Sequence, residues 1–311
     1  MAIITNAFPT YTAKGNREDL SDVIYNIDPT DTPFVTAIGR RNVSNVNFDW
    51  QTENLPAVST TAELEGFELS RSAATATVRA TNVCQIQKRD ATVTGSQQSM
   101  NSAGRNSEMA HQMALASKAL KRDMEKSLMA NQASNSGNTT TARLTRALES
   151  WLATNSSRGV GGANGTTSTA ATDGTQRALD ETLLKANLQT CFINGAEPTV
   201  LMVGPVNKMK VSAFTGRSTS QQIVSPSTIL QSATIYASDF GDLKVVPNRW
   251  QRERTAFLLD PSYAAVGYFR NFQRTPIAKI GDAETEMIVV EYGLEMRNEA
   301  AHGVIADLTT T

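Results

Sequence analysis

Residues 286–297, "EMIVVEYGLEMR", alternate with a period of two. Ile288, Val290, Tyr292, Leu294 and Met296 share one face, and Glu291, Gly293, Glu295 and Arg297 share the other. Such a run is a β-strand. At about 3.3 Å per residue, its roughly twelve residues reach about 40 Å, around twice the usual length. A strand this long needs an equally long neighbour to cover its apolar face. Met287 and Val289 break the polar face near its start, which predicts burial on both faces there. Glu291 and Glu295 lie two strand steps apart, roughly 13 Å, too far for a paired-carboxylate site. His302, beyond a turn expected at 297–299, reads as a hydrogen-bonded structural residue.

The long neighbour is expected at residues 102–131, "SAGRNSEMAHQMALASKALKRDMEKSLMAN". Met109, Met113, Ala116, Leu120, Met124 and Leu128 make one apolar stripe at helical spacing. Asn106 or Ser107 can cap its start, and Glu108 suits the dipole there. A helix of this span would run about 40 Å. Its methionines read as a core face rather than a ligand set.

The remaining segments are less regular. Residues 1–45 read as an extended leader with prolines at 9, 29 and 33, and one small helix is expected between Asn16 and Tyr25. Residues 46–95 read as two β arms, "VNFDWQTENL" going out and "TATVRATNVCQIQKRDATVTG" coming back, around a small, acidic tip that turns at Gly66. From Asn131 to Gln176 the composition is mostly Gly, Ser, Thr and Asn, an exposed loop with a short amphipathic piece near Trp151. Within it, "GVGGANG" carries Asn164 where a dinucleotide loop needs glycine, and neither strand nor helix flanks it. Residues 176–270 read as an α/β unit. A helix presents Leu184, Leu188 and Cys191 and ends at Asn194-Gly195, and "PTVLMVGP" follows as a buried strand. Pro205 then opens a helix, a hairpin turns near Phe240, and "TAFLLDP" and "AAVGYFR" supply further strands.

Composition narrows the function. Formal net charge is −1, without the basic excess of a protein that grips nucleic acid through its phosphates. Two cysteines, Cys84 and Cys191, and two histidines, His111 and His302, cannot build a disulfide framework or a four-ligand zinc site, and the thiols read as buried and free. No apolar run approaches a membrane span, and the first twenty residues lack a secretory pattern. Nucleophile-elbow, zinc-protease and phosphate-loop motifs are missing. No catalytic residue, metal or cofactor is expected, and an enzyme is not.

Taken in order, the leader, β arm, long helix, α/β unit and long terminal strand resemble the major capsid protein of tailed bacteriophages, the HK97-like fold. "IDPTDTPFVTAIGR" (27–40), "FDWQTENLPAV" (48–58), "AGRNSEMAHQMALASKALKRDMEKSLM" (103–129) and "EYGLEMRNEAAHGVI" (291–305) carry the resemblance. It implies an α+β architecture: an N-terminal arm (1–45), an extended loop (46–95), a peripheral domain (96–175 and 261–311) built on a spine helix at 102–131, and an axial domain (176–260). Residues 155–175 have no counterpart in it. The resemblance further implies hexamers and pentamers tiling an icosahedral virion shell, assembled in the bacterial cytoplasm. That shell would enclose double-stranded DNA held weakly and without sequence specificity, with portal and decoration proteins as further partners and no membrane. With the arm starting near residue 46, a separate scaffolding protein and no proteolytic maturation are expected. Lys88 falls in that arm, but nothing in the sequence warrants a covalent cross-link. An encapsulin-like compartment and a minor head or decoration protein are the other readings.

Overall fold

The computed structural model describes the chain except residues 1–27, 54, 56, 57, 59, 61, 69, 70, 72, 101–105 and 215–233. The helix expected between Asn16 and Tyr25 falls outside the described residues.

The chain enters through a short helix, α1 (Pro33–Ala37), and β1 (Gly39–Asn42). The leader is therefore not extended throughout: Pro33 occupies the first helical turn, where its missing N–H costs nothing. The arm follows as β2 (Asn47–Thr52) and β3 (Val78–Val83), an antiparallel pair with Thr52 opposite Val78. At Cys84 the returning segment leaves the arm and becomes β4 (Gln85–Thr94), which pairs elsewhere. The expectation of one two-stranded arm over 46–95 thus fails at Cys84, and Lys88 is not an arm residue.

A short helix, α2 (Gly95–Ser99), leads toward the long one, α3 (Glu108–Leu128). Ser107 caps α3 by accepting the Ala110 amide, and the helix spans about 32 Å rather than 40 Å. Its Met109, Met113, Leu120, Met124 and Leu128 are all buried. Next come α4 (Leu148–Trp151), β5 (Ser156–Ser157), α5 (Glu181–Ile193), β6 (Val200–Val203) and α6 (Pro205–Ser212). The hairpin β7 (Ile235–Ser238) and β8 (Gly241–Pro247) precedes β9 (Ala256–Leu259). Last are two strands of 14 residues each, β10 (Ala264–Ile277) and β11 (Ala283–Met296), and a short β12 (Gly303–Ile305).

The strands form three sheets. One has the order β1-β10-β11-β4, one the order β5-β12-β9-β6-β8-β7, and the arm stands alone. The partner that matches β11 in length is β10, and α3 lies against the β4–β11 side. The six-stranded sheet separates two cores. Met202, Phe257, Leu259 and Val304 face the core that contains α3, while Leu201, Val203, Leu258 and Ile305 face the one that contains α5. This is period-two alternation used on both sides. The chain between α3 and α5 is held too: isolated bridges join Asn135 to Leu144 and Ala163 to Thr172, and β5 pairs with β12. Reading residues 131–176 as simply exposed loop is therefore incorrect.

Candidate functional site: an anchored arm and exposed apolar ends

The arm is rooted by aromatic packing. Phe48 and Trp50 point inward from β2, and the Trp50 ring lies 5.4 Å from that of Trp151. Phe48 covers Gly293 on β11 so closely that a Cβ there would stand 2.6 Å from a ring carbon. From β3, buried Asn82 donates to the Leu294 carbonyl at 2.6 Å and the Arg146 carbonyl at 3.2 Å, and its oxygen accepts the Arg146 amide at 2.8 Å. The Arg146 guanidinium lies 4.1 Å from the Trp151 ring centre and donates to the Ser150 carbonyl. Burial brings the Arg146 pKa down to about 10.

Behind this root, the glutamates of the long strand are covered rather than solvated. Glu291 is gripped by Arg143 and by Arg270, the latter at 2.8 Å; Glu295 is held by Arg41 at 2.8 Å and Arg297 at 3.5 Å. Each carboxylate has its own arginines, so the two form no acid–base pair, and both are buried. Burial on both faces therefore occurs at the carboxyl-terminal half of β11, with the Met287 end only partly covered. A buried carboxylate persists only where cations or donors compensate its lost hydration. Glu125, inside α3, meets the same demand differently. It accepts the amides of Phe34 and Val35, each at 2.8 Å, and the Asn248 side chain at 2.6 Å. It thereby caps α1 from another helix, and burial raises its pKa.

Two further groups stood out in the sequence. His302 accepts the Asp260 amide at Nδ1, 3.2 Å away. Burial draws its pKa down to about 4 against the opposing pull of the Tyr263 backbone, Asp260 and Glu299. Cys84 and Cys191 are buried free thiols, each pushed up to about 12 by burial. In "GVGGANG", the Gly159 amide donates to Asp307, which also accepts the Gly174 amide and the Arg254 guanidinium. Glu149 with Arg158 and Arg252, and Asp173 with Arg252 and Arg254, extend that ionic seam. Local sequence held no signal for Asn82, Glu125 or this seam, because apart from the Val83 amide on Asn82 and Arg158 on Glu149 their partners are distant in the chain. Among the described residues, no group of three or more His, Cys, Asp and Glu could hold a metal, and no helix is long and apolar enough to cross a membrane.

Exposed apolar side chains gather at the extremities. The arm carries Leu55, Val58, Leu64 and Phe67, and the far end of the β10–β11 hairpin carries Ile277 and Ile280. At the end of α5, Phe192 packs 5.1 Å from Phe240 of the β7–β8 turn, beside exposed Ile193. Apolar surface of this kind suits contact with other protein chains.

A rooted arm, a long helix under a long hairpin wall, and a lateral α/β layer define a tailed-phage capsid subunit with the HK97-like fold. The solved capsid protein of cyanophage A-1(L) matches with a TM-score of 0.68 at 14% identity, over 97% of this chain and 99% of that one. That of cyanophage P-SCSP1u matches at 0.62 and 10% identity, over 95% and 93%. The phage G structure, with major capsid and decoration proteins, matches at 0.54 and 9% identity, over 99% and 100%. In sequence, the major capsid protein of Escherichia phage Phieco32 is 25% identical over 342 residues, 96% of each chain. The SU10 major capsid protein family matches residues 4–309, and the chain belongs to that family, structural proteins of the phage head.

Proposed function

We propose that this chain forms the wall of a tailed-phage head, assembling as hexamers and pentamers into an icosahedral shell around double-stranded DNA. The observation that carries this is the arm: its root is locked by Trp50, Phe48 and Asn82, while its apolar tip is exposed. A side chain such as Leu64, 83% exposed, gains its burial only from a neighbour. The α5 end with Phe192 and Phe240 is the surface where axial domains meet around a capsomer centre. The near-neutral charge suits a wall that confines DNA without gripping it. A separate scaffolding protein, a portal and decoration proteins are the further partners, assembly takes place in the host cytoplasm, and the role is structural with no reaction assigned. Electron microscopy of the purified, concentrated protein tests this. Closed shells or capsomers are expected, and a monomer that persists at high concentration would overturn it. DNA rather than enzyme cargo in native particles separates this reading from a cellular compartment.

A further inference from the structure

Residues 159–174 fold into a closed loop. Buried Asp307 pins its two ends, accepting the Gly159 amide at 2.9 Å and the Gly174 amide at 2.7 Å. Between them the Ala163–Thr172 bridge narrows the loop to a ribbon, which turns where the Thr166 amide meets the Thr169 carbonyl at 2.9 Å. The ribbon is fastened to the chain leaving α3. Asn131 donates to the Ala171 carbonyl at 2.6 Å and accepts the Ala171 amide at 2.8 Å, and the Ser134 amide meets the Thr167 carbonyl at 3.1 Å. It also lies on α4: a Cβ at Gly165 would stand 2.8 Å from the Ser150 Cα, so only glycine fits there. The residue after Ser150 is Trp151, whose ring meets Trp50 of the arm at 5.4 Å. Arg146, which covers the Trp151 ring, reaches the Thr167 hydroxyl of the loop at 3.4 Å. A helix of four residues such as α4 is too short to hold itself by its own backbone bonds, so what packs on it sets its position.

We propose that this loop is a brace that fixes the direction in which the arm leaves the subunit. Through Asn131 and Gly165 it holds α4 in place, and α4 holds Trp50. Asn131 and Gly165 are positioning residues, acting on the arm through α4. An arm whose root is held at one angle reaches a neighbour already ordered, whereas a loose one must be ordered at the moment of association. The importance of the brace for assembly rests on the shell reading; its hold on the arm root does not.

Two indoles this close couple as excitons, and their couplet in the circular dichroism of the free subunit reports the arm root. Trp50→Leu, which removes the couplet, identifies it against the background of Trp250. Asn131→Ala is expected to weaken the couplet and to speed exchange of the β2 and β3 amides about tenfold, the scale of one lost hydrogen bond, with the α5 amides unchanged. Gly165→Ala keeps both Asn131 bonds but presses on Ser150, and should do the same; if one variant fails to fold, the other decides. A full couplet in a folded variant whose loop amides exchange freely overturns the brace. Assembly then separates the brace from a purely local role. Asn131→Ala should raise the subunit concentration needed for particles in the parent chain but not in a Trp50→Leu background, where the root is already loose. Equal, additive losses in the two backgrounds overturn the proposal. Failure of the parent chain to form particles would remove the shell reading alone, because the couplet and exchange results on the free subunit still decide whether the brace exists.

Discussion

At His302 the burial of one imidazole sets an acid limit on the subunit. Its pKa falls from 6.5 to about 4 on folding, so the unfolded chain binds the proton more readily. The stabilisation is complete above about 6.5 and is lost as pH falls through about 4. The loss amounts to on the order of 3 kcal/mol. His302→Gln keeps an acceptor for the Asp260 amide without a titrating ring, and should flatten that part of the pH profile in urea unfolding of the subunit. An unchanged difference between pH 7 and pH 4 in the variant would refute the assignment. That His302 is structural was legible, since it follows a turn and has no catalytic companions. The burial of Glu291 and Glu295 was not. Alternation told which side they take, but Arg41, Arg143 and Arg270 arrive from elements 21 to 254 residues away. Glu125 was hidden for the same reason: a glutamate one place from an apolar stripe reads as a flank until the α1 amides are known.

At the scale of elements, legibility followed periodicity. The α3 stripe and the inner half of β11 are visible because one face of each is buried, and Ser107 is visible as a cap. The outer half of β10, residues 270–277, is exposed on both faces, so no alternation marks it as strand. Register shifts after Tyr268 and Arg270 also displace its pattern. The true partner of β11 therefore escaped notice, and the helix was credited with the whole task. The division at Cys84 was equally invisible, because β3 and β4 have similar β-rich composition. Gly293 joins the arm to the wall through close approach alone. Gly293→Ala should cost about 1–3 kcal/mol by overpacking against Phe48 and the Val83 carbonyl. Hydrogen exchange should locate the damage, with β2 amides exchanging faster and α5 unchanged. Uniform protection across both would show that the contact is not tight.

At the scale of the molecule, no described residue of the arm beyond its root belongs to either core. Replacing residues 53–77 with an Asn-Gly turn between Thr52 and Val78, a hairpin pair, should leave circular dichroism and the unfolding midpoint nearly unchanged while abolishing shells. Sedimentation would show this, and intact shells from the shortened chain would contradict it. The passage from β3 straight into β4 has a mechanical meaning. A neighbour that tugs on the arm loads a strand continuous with the wall, and β4 lies antiparallel to β11 from Tyr292 opposite Gln85 to Ala283 opposite Thr94. Tension along that direction shears all of these hydrogen bonds together, whereas a perpendicular pull would peel them off one at a time. The joint between arm and wall therefore resists a pull along β4 better than one across it.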